Sequence, residues 1–235
     1  MAQSLTDIAN LAILHCGISK PIANIDTEKS IEAQACRTVI VTARQNTLRA
    51  HPWLFAKKFA SPGLVAGPTP MATPEWTYAY QYPSDAIRMI RFVSTRLNND
   101  TRQSRIPYTI APTGNGLLIY TNWPGNFNNV PVTIEYTFDN TVIGQWTADF
   151  ILALSYYVAY LITPVITRGD PYQLQQKLLA LFDAAVKVAV GGDANEEQRP
   201  EEPQSEFVRA RDGYGAGQSN GSPPSDLPSA NFTVD

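Results

Sequence analysis

Two changes of hydrophobic period constrain this fold more than any single motif. Apolar residues recur at helical steps of three and four up to residue 50. They alternate in short stretches between residues 57 and 143, and return to helical steps from residue 144. A chain patterned this way packs helices around an inserted sheet, an α+β architecture. Ser4-Leu-Thr-Asp7 resembles a capping box, Ile8, Leu11, Ala12 and Cys16 follow it, and Gly17 stops the helix. Asp26 or Thr27 caps a second helix over about 28–50, with Ile31, Ala35, Val39 and Ala43 near one face. It ends before His51-Pro52, because the residue preceding proline disfavours helical geometry.

The middle of the chain reads as strands and turns. Residues 63–74 hold three prolines and two glycines and are expected to be a loop. Strands are expected at Trp76–Tyr82, Ile87–Val93, Ile106–Ile110, Leu117–Thr121 and Val132–Phe138, rich in Tyr, Ile, Val and Thr. Trp76, Tyr78, Tyr80 and Tyr82 alternate, as do Val132, Ile134, Tyr136 and Phe138, which fits half-buried antiparallel strands. Thr113-Gly-Asn-Gly116 is a hairpin turn.

Ile151, Leu154, Val158, Leu161 and Val165 form the seam of a third helix. Asp170-Pro171 opens a fourth, whose seam is Leu174, Leu178, Leu181, Ala185 and Val188, and Gly191-Gly192 ends it. The four helices are expected to form one bundle, with Ile151, Leu154, Val158, Leu161, Leu174, Leu178 and Leu181 in its core. The expected organisation is helices over 1–56, an antiparallel β-domain over 57–143, helices over 144–192 and an extended arm over 193–235.

That arm does not read as part of a core. It is rich in Pro, Ser and Gly and carries nine acids against three arginines, whereas the rest of the chain carries 12 acids and 15 bases. An arm opposite in sign to the body suits docking on a neighbour. Its isolated apolar residues Phe207, Val208, Tyr214, Leu227 and Phe232 are too far apart for a core and fit anchors that order on binding.

Chemistry-bearing patterns are sparse. His15 and Cys16 are neighbours on a helix and point about 100° apart. With His51 and Cys36 they have no metal-ligand spacing, so no metal or cofactor is expected. Glu75, Asp85, Glu135 and Asp139 stand at expected strand ends, where acids usually form turns; a glycosidase pair would need two of them facing across a cleft. Gly213-Tyr-Gly-Ala-Gly217 lacks the flanking strand, the helix and the Lys-Ser/Thr of a phosphate loop and reads as a hinge. Lys57, Lys58, Arg88, Arg91, Arg96, Arg102 and Arg105 supply a modest basic surface, too weak for sequence-specific nucleic-acid reading. No basic leader opens the chain, and the apolar run Phe150–Ile162 spans 13 residues, shorter than a bilayer requires, so a soluble cytosolic product is expected.

Four segments carry a family resemblance. They are DIANLAILHCGISKPIANID (7–26), ARQNTLRAHPWLFAKK (43–58), WTYAYQYPSDAIRMIRF (76–92), and IEYTF followed by WTADFILALSYYVAYLITPVI (134–138 and 146–166). Together they resemble the tail tubular protein A family, the head-to-tail adaptors of short-tailed phages, over about residues 5–190. The resemblance implies a structural virion protein without catalytic activity that forms a ring, dodecameric in kind, seated under the portal protein. The ring would continue the DNA channel, bind the tail nozzle protein below and receive tail fibres at its flank. Arg102 and Arg105 are then candidates for the channel lining, and the arm for a portal contact. Two other classes stay open at this point: a phage-borne cell-wall hydrolase using Glu75 or Glu135, and a non-viral binding module with an acidic tail.

Overall fold

The computed structural model describes residues 4–67, 72–93, 106–114, 116–124, 132–167 and 171–196. By contacts the chain divides into one compact unit, 1–98 with 105–199, and a second, 99–104 with 200–235, which lies outside the described residues.

The described residues form four α-helices and two antiparallel sheets, an α+β protein. The capping box forms: α1 (Leu5–His15) starts with the Ser4 hydroxyl accepting from the Asp7 N–H while the Asp7 carboxylate accepts from the Ser4 N–H. Gly17 follows at φ +78°, a conformation that suits glycine. The start of α2 (Ile31–Ala50) differs from expectation. Ser30 is its cap, because the Asn24 side chain takes the N–H groups of Asp26 and Thr27 and holds that segment in a turn. The buried face of α2 is accordingly Ala33, Cys36, Ile40 and Ala43, with Ile31 exposed.

Helix α3 (Ala148–Ile166) is the hub and packs against α1, α2 and α4 (Pro171–Glu196). Along its α1 side, Ser155, Ala159 and Thr163 are small and fully buried, as are Ala9 and Ala12 of α1. There His15 Nε2 lies 3.1 Å from Ser155 Oγ, and the Cys16 thiol reaches the Ala159 carbonyl at 3.6 Å. By length and composition α3 could cross a membrane, being 19 residues long rather than the 13-residue run expected, and half of that stretch is buried within the protein. It contains Pro164, which has no N–H to give the Tyr160 carbonyl. The Gln175 side chain of α4 donates to that carbonyl instead, at 3.2 Å.

Helix α4 departs from its expected seam. The stripe turned to the core is Leu174, Leu178, Phe182, Ala185 and Ala189; Leu181 is 45% exposed and Val188 69%. The observed and expected steps average just above and just below the 3.6-residue turn, so period alone does not choose between the two stripes and packing on α3 does. The helix also runs through Gly191 and Gly192, the expected stop, to Glu196.

The sheets pair as β1 (Lys57–Ala60), β7 (Thr133–Phe138), β4 (Ala86–Val93), and as β2 (Leu64–Ala66), β3 (Tyr78–Gln81), β6 (Gly116–Thr121), β5 (Tyr108–Thr113). Strands β1 and β2 were not expected. Both are short edge strands, and β2 lies within the supposed loop 63–74, where proline-flanked edges are tolerated. The Thr113-to-Gly116 hairpin forms, with Gly116 at φ +127°. The sheets face each other through Met89, Phe92, Ile134 and Tyr136 from one and Tyr80 and Ile119 from the other. Phe92 meets Tyr80 and Tyr108 edge-on at 6.3 and 5.7 Å between ring centres.

Buried polar groups join sandwich and helices. Asn140, just past β7, donates to the Phe55 carbonyl and to Gln145, accepts from the Val142 N–H, and takes the Trp146 indole N–H on its own carbonyl. Trp53 is fully buried, gives its indole N–H to the Thr47 carbonyl and stacks edge-on with Phe150.

Candidate functional site

Neighbouring residues on a strand point to opposite faces, and this separates the acids and bases that sequence had grouped. Lys58 and Tyr136 share the inner face of their sheet. The Asp85 carboxylate in the β3–β4 turn accepts from Lys58 Nζ at 2.6 Å and from the Tyr136 hydroxyl at 3.0 Å. The Lys58 bond, aided by Tyr136, holds Asp85 below the usual carboxylate range against the opposing effect of burial. Lys57, Phe59, Glu135, Arg88 and Arg91 share the outer face. Glu135 is 3% exposed there, with Arg91 Nε at 2.5 Å and Lys57 Nζ at 3.9 Å, while Phe59 is exposed.

Asp139 closes the sandwich onto α2. Arg44 reaches it with two hydrogen bonds of 2.9 Å, and Gln45 adds a third at 3.1 Å. Burial alone would raise its pKa, but the Arg44 and Gln45 bonds outweigh burial and hold it below the usual range. Of the four candidate acids, Glu75 is exposed and the other three are held by cations. Asp85 and Glu135 serve opposite faces of one sheet, so the fold does not turn them toward each other.

His15 stacks on Tyr156 with ring centres 4.3 Å apart, and burial lowers its pKa. Cys16 and Cys36 are buried free thiols, and burial pushes Cys36 up to about 12. Among the described residues no cluster of His, Cys, Asp or Glu could hold a metal ion. A shallow depression of about 550 Å³ at one end of the sandwich is lined by Val65, Gln81, Tyr82, Ser84, Leu117 and Leu118, without a charged group.

Of the residues expected in the bundle core, Ile151, Leu154, Val158 and Leu178 are buried, Leu161 and Leu174 half-buried, and Leu181 exposed. Arg96, Arg102 and Arg105, and the arm residues Phe207, Val208, Tyr214, Leu227 and Phe232, lie outside the described residues.

The surface with most to offer a partner is helical and apolar. At 100° per residue, Leu181 and Val188 fall on one shoulder of the buried stripe of α4, and Tyr172, Leu179 and Val190 on the other; all five are exposed. Val41 on α2 and Leu152 on α3 are also exposed, whereas their neighbours Ile40 and Phe150 are spent on the protein's own core. Sequence reasoning missed these shoulders because it assigned Leu181 and Val188 inward; the signal that separates them is Phe182 and Ala189, one residue further on. It also missed the contact at the far end of α4, where Asp193 lies 3.1 Å from His51, because 142 residues part the two.

No family model matches the chain, and no curated protein matches it.

Proposed function

We propose that this chain is a structural head–tail adaptor of a short-tailed phage, a ring subunit between the portal protein and the tail nozzle protein. In this reading the helices form a four-helix bundle that makes the lateral and portal-side contacts. The β-domain faces the tail, DNA passes through the lumen without sequence reading, fibres attach at the flank, and the acidic arm docks on the portal. The observation that carries the proposal is the pair of unlike apolar shoulders on α4, left exposed after the helical core is closed. A closed ring needs two different, mutually complementary surfaces on each subunit. Further support comes from the resembling segments. Arg49-Ala-His-Pro-Trp53 makes the α2–β1 junction, and Tyr80-Gln-Tyr-Pro-Ser-Asp85 the β3–β4 turn.

The test is light scattering with size exclusion on the chain mixed with its portal, intact and truncated after Glu196, where α4 ends. Comigration of the intact chain alone supports an adaptor with a docking arm. Comigration of both keeps the adaptor and removes the arm from the contact. Failure of both overturns the reading and brings peptidoglycan clearing, with and without Glu75→Gln, to the front.

A further inference from the structure

Sequence and structure disagree about where α4 ends, and the disagreement has a physical cause. Gly191-Gly192 is a stop signal, since glycine is a poor helix former and favours the position just past a helix end. Yet the helix continues to Glu196. Something outside α4 therefore holds its last turn. Asp193 is only 9% exposed, and its Oδ2 lies 3.1 Å from His51 Nε2 and 3.4 Å from the backbone N of Leu54, which donates to it. The receiving side is rigid. His51 caps α2 in extended geometry, and its ring stands edge-on to the fully buried Trp53, with centres 5.3 Å apart. Asp149, in the first turn of α3, also faces this junction: a Cβ placed on Gly192 would lie 3.7 Å from its Oδ2. The His51–Asp193 contact thus has a second carboxylate, that of Asp149 on α3, close to Gly192 of the same α4 turn.

We propose that His51 and Asp193 form a pH-sensitive latch on the last turn of α4. Closed, the helix runs to Glu196. Open, the helix ends at its own glycine stop and residues 193–196 leave it. A protonated imidazole gives a carboxylate a charge-assisted hydrogen bond and a neutral imidazole a weaker one, so the latch weakens as rising pH takes the proton from histidine. The inference does not depend on the adaptor reading, because every group it uses lies within one chain.

Hydrogen exchange by mass spectrometry on the full chain tests it, with amide protection of residues 190–196 corrected for intrinsic rates at pH 5.5 and 7.5. Protection at pH 5.5 roughly tenfold above that at pH 7.5 is expected, with no such step in amides 150–162 of α3. His51→Gln and Asp193→Asn should each abolish the step while α3 stays protected. Gly191→Ala, a position open to a Cβ, should restore protection to His51→Gln without restoring its pH dependence. Wild-type protection that is equal at both pH values overturns the latch, and so does a step that survives in His51→Gln. The wild-type comparison decides the matter even if a variant fails to fold.

Discussion

The helical cluster and the sandwich are held in different ways. At the centre of the helices Trp53, Phe55, Trp146 and Phe150 meet edge to face, with three other helices wrapped on α3, and the polar groups inside are mostly small hydroxyls bonded within their own helix. The sandwich has a thinner apolar layer, and three of its carboxylates are tied to cations: Asp85 to Lys58, Glu135 to Arg91, Asp139 to Arg44. Burial of apolar area is insensitive to pH, whereas ion pairs are not. The helical part should therefore set the overall stability, and the sandwich should set its dependence on acid.

The sharpest way to break this comparison is Phe150→Ala, expected to cost about 3–5 kcal/mol by urea unfolding because a fully buried ring touching three other aromatics leaves a cavity. Ile134→Ala, in the thinner layer, should cost less, about 2–3 kcal/mol; equal costs would remove the distinction. Leu178→Ala follows at about 2–5 kcal/mol, since Leu178 is buried on the α4 stripe.

Arg44→Met should cost about 1.5–3 kcal/mol at pH 7, because it strands a partly buried carboxylate. Its pH dependence carries a definite sign. Asp139 has a folded pKa below its unfolded value, so its contribution is full above about pH 3.9 and is lost as pH falls through the depressed folded value. The stability gap between wild type and Arg44→Met should shrink over that acid range. A gap constant from pH 7 down to pH 2 would show that Arg44 acts by packing alone. The smallest expected effect is Leu181→Ala, within about 0.5 kcal/mol for an exposed position. A cost like that of Leu178→Ala would return Leu181 to the core.

Local signals were the legible ones. The Ser4–Asp7 box, the Gly17 stop, the α2 end before Pro52 and the Thr113–Gly116 hairpin depend on residues a few positions apart, and all form. What sequence concealed was long-range. The cap of α2 moved to Ser30 because Asn24 claims the earlier N–H groups, and α4 runs past Gly191-Gly192 to bring Asp193 against His51, far away in sequence. The seam of α4 was misread for a subtler reason. Leu181 and Val188 are as apolar as the residues beside them, and only packing on α3 decides which of two adjacent positions turns inward. The candidate site fared similarly: the acids and bases were visible, but which faces they share follows from strand register.

Pro164 gives this architecture a property that concerns modularity. It leaves the Tyr160 carbonyl without a donor from its own helix, and Gln175 of α4 supplies one. The backbone ladder of α3 is thus completed by a side chain from its neighbour, so neither helix is a self-sufficient part. Transplanted alone into another scaffold, α3 would carry an unmet carbonyl, and α4 an amide without its acceptor. Shifting one helix along the other by a turn would break the same bond. Recombination or design that treats the third and fourth helices as exchangeable units has to move them as a pair, in register.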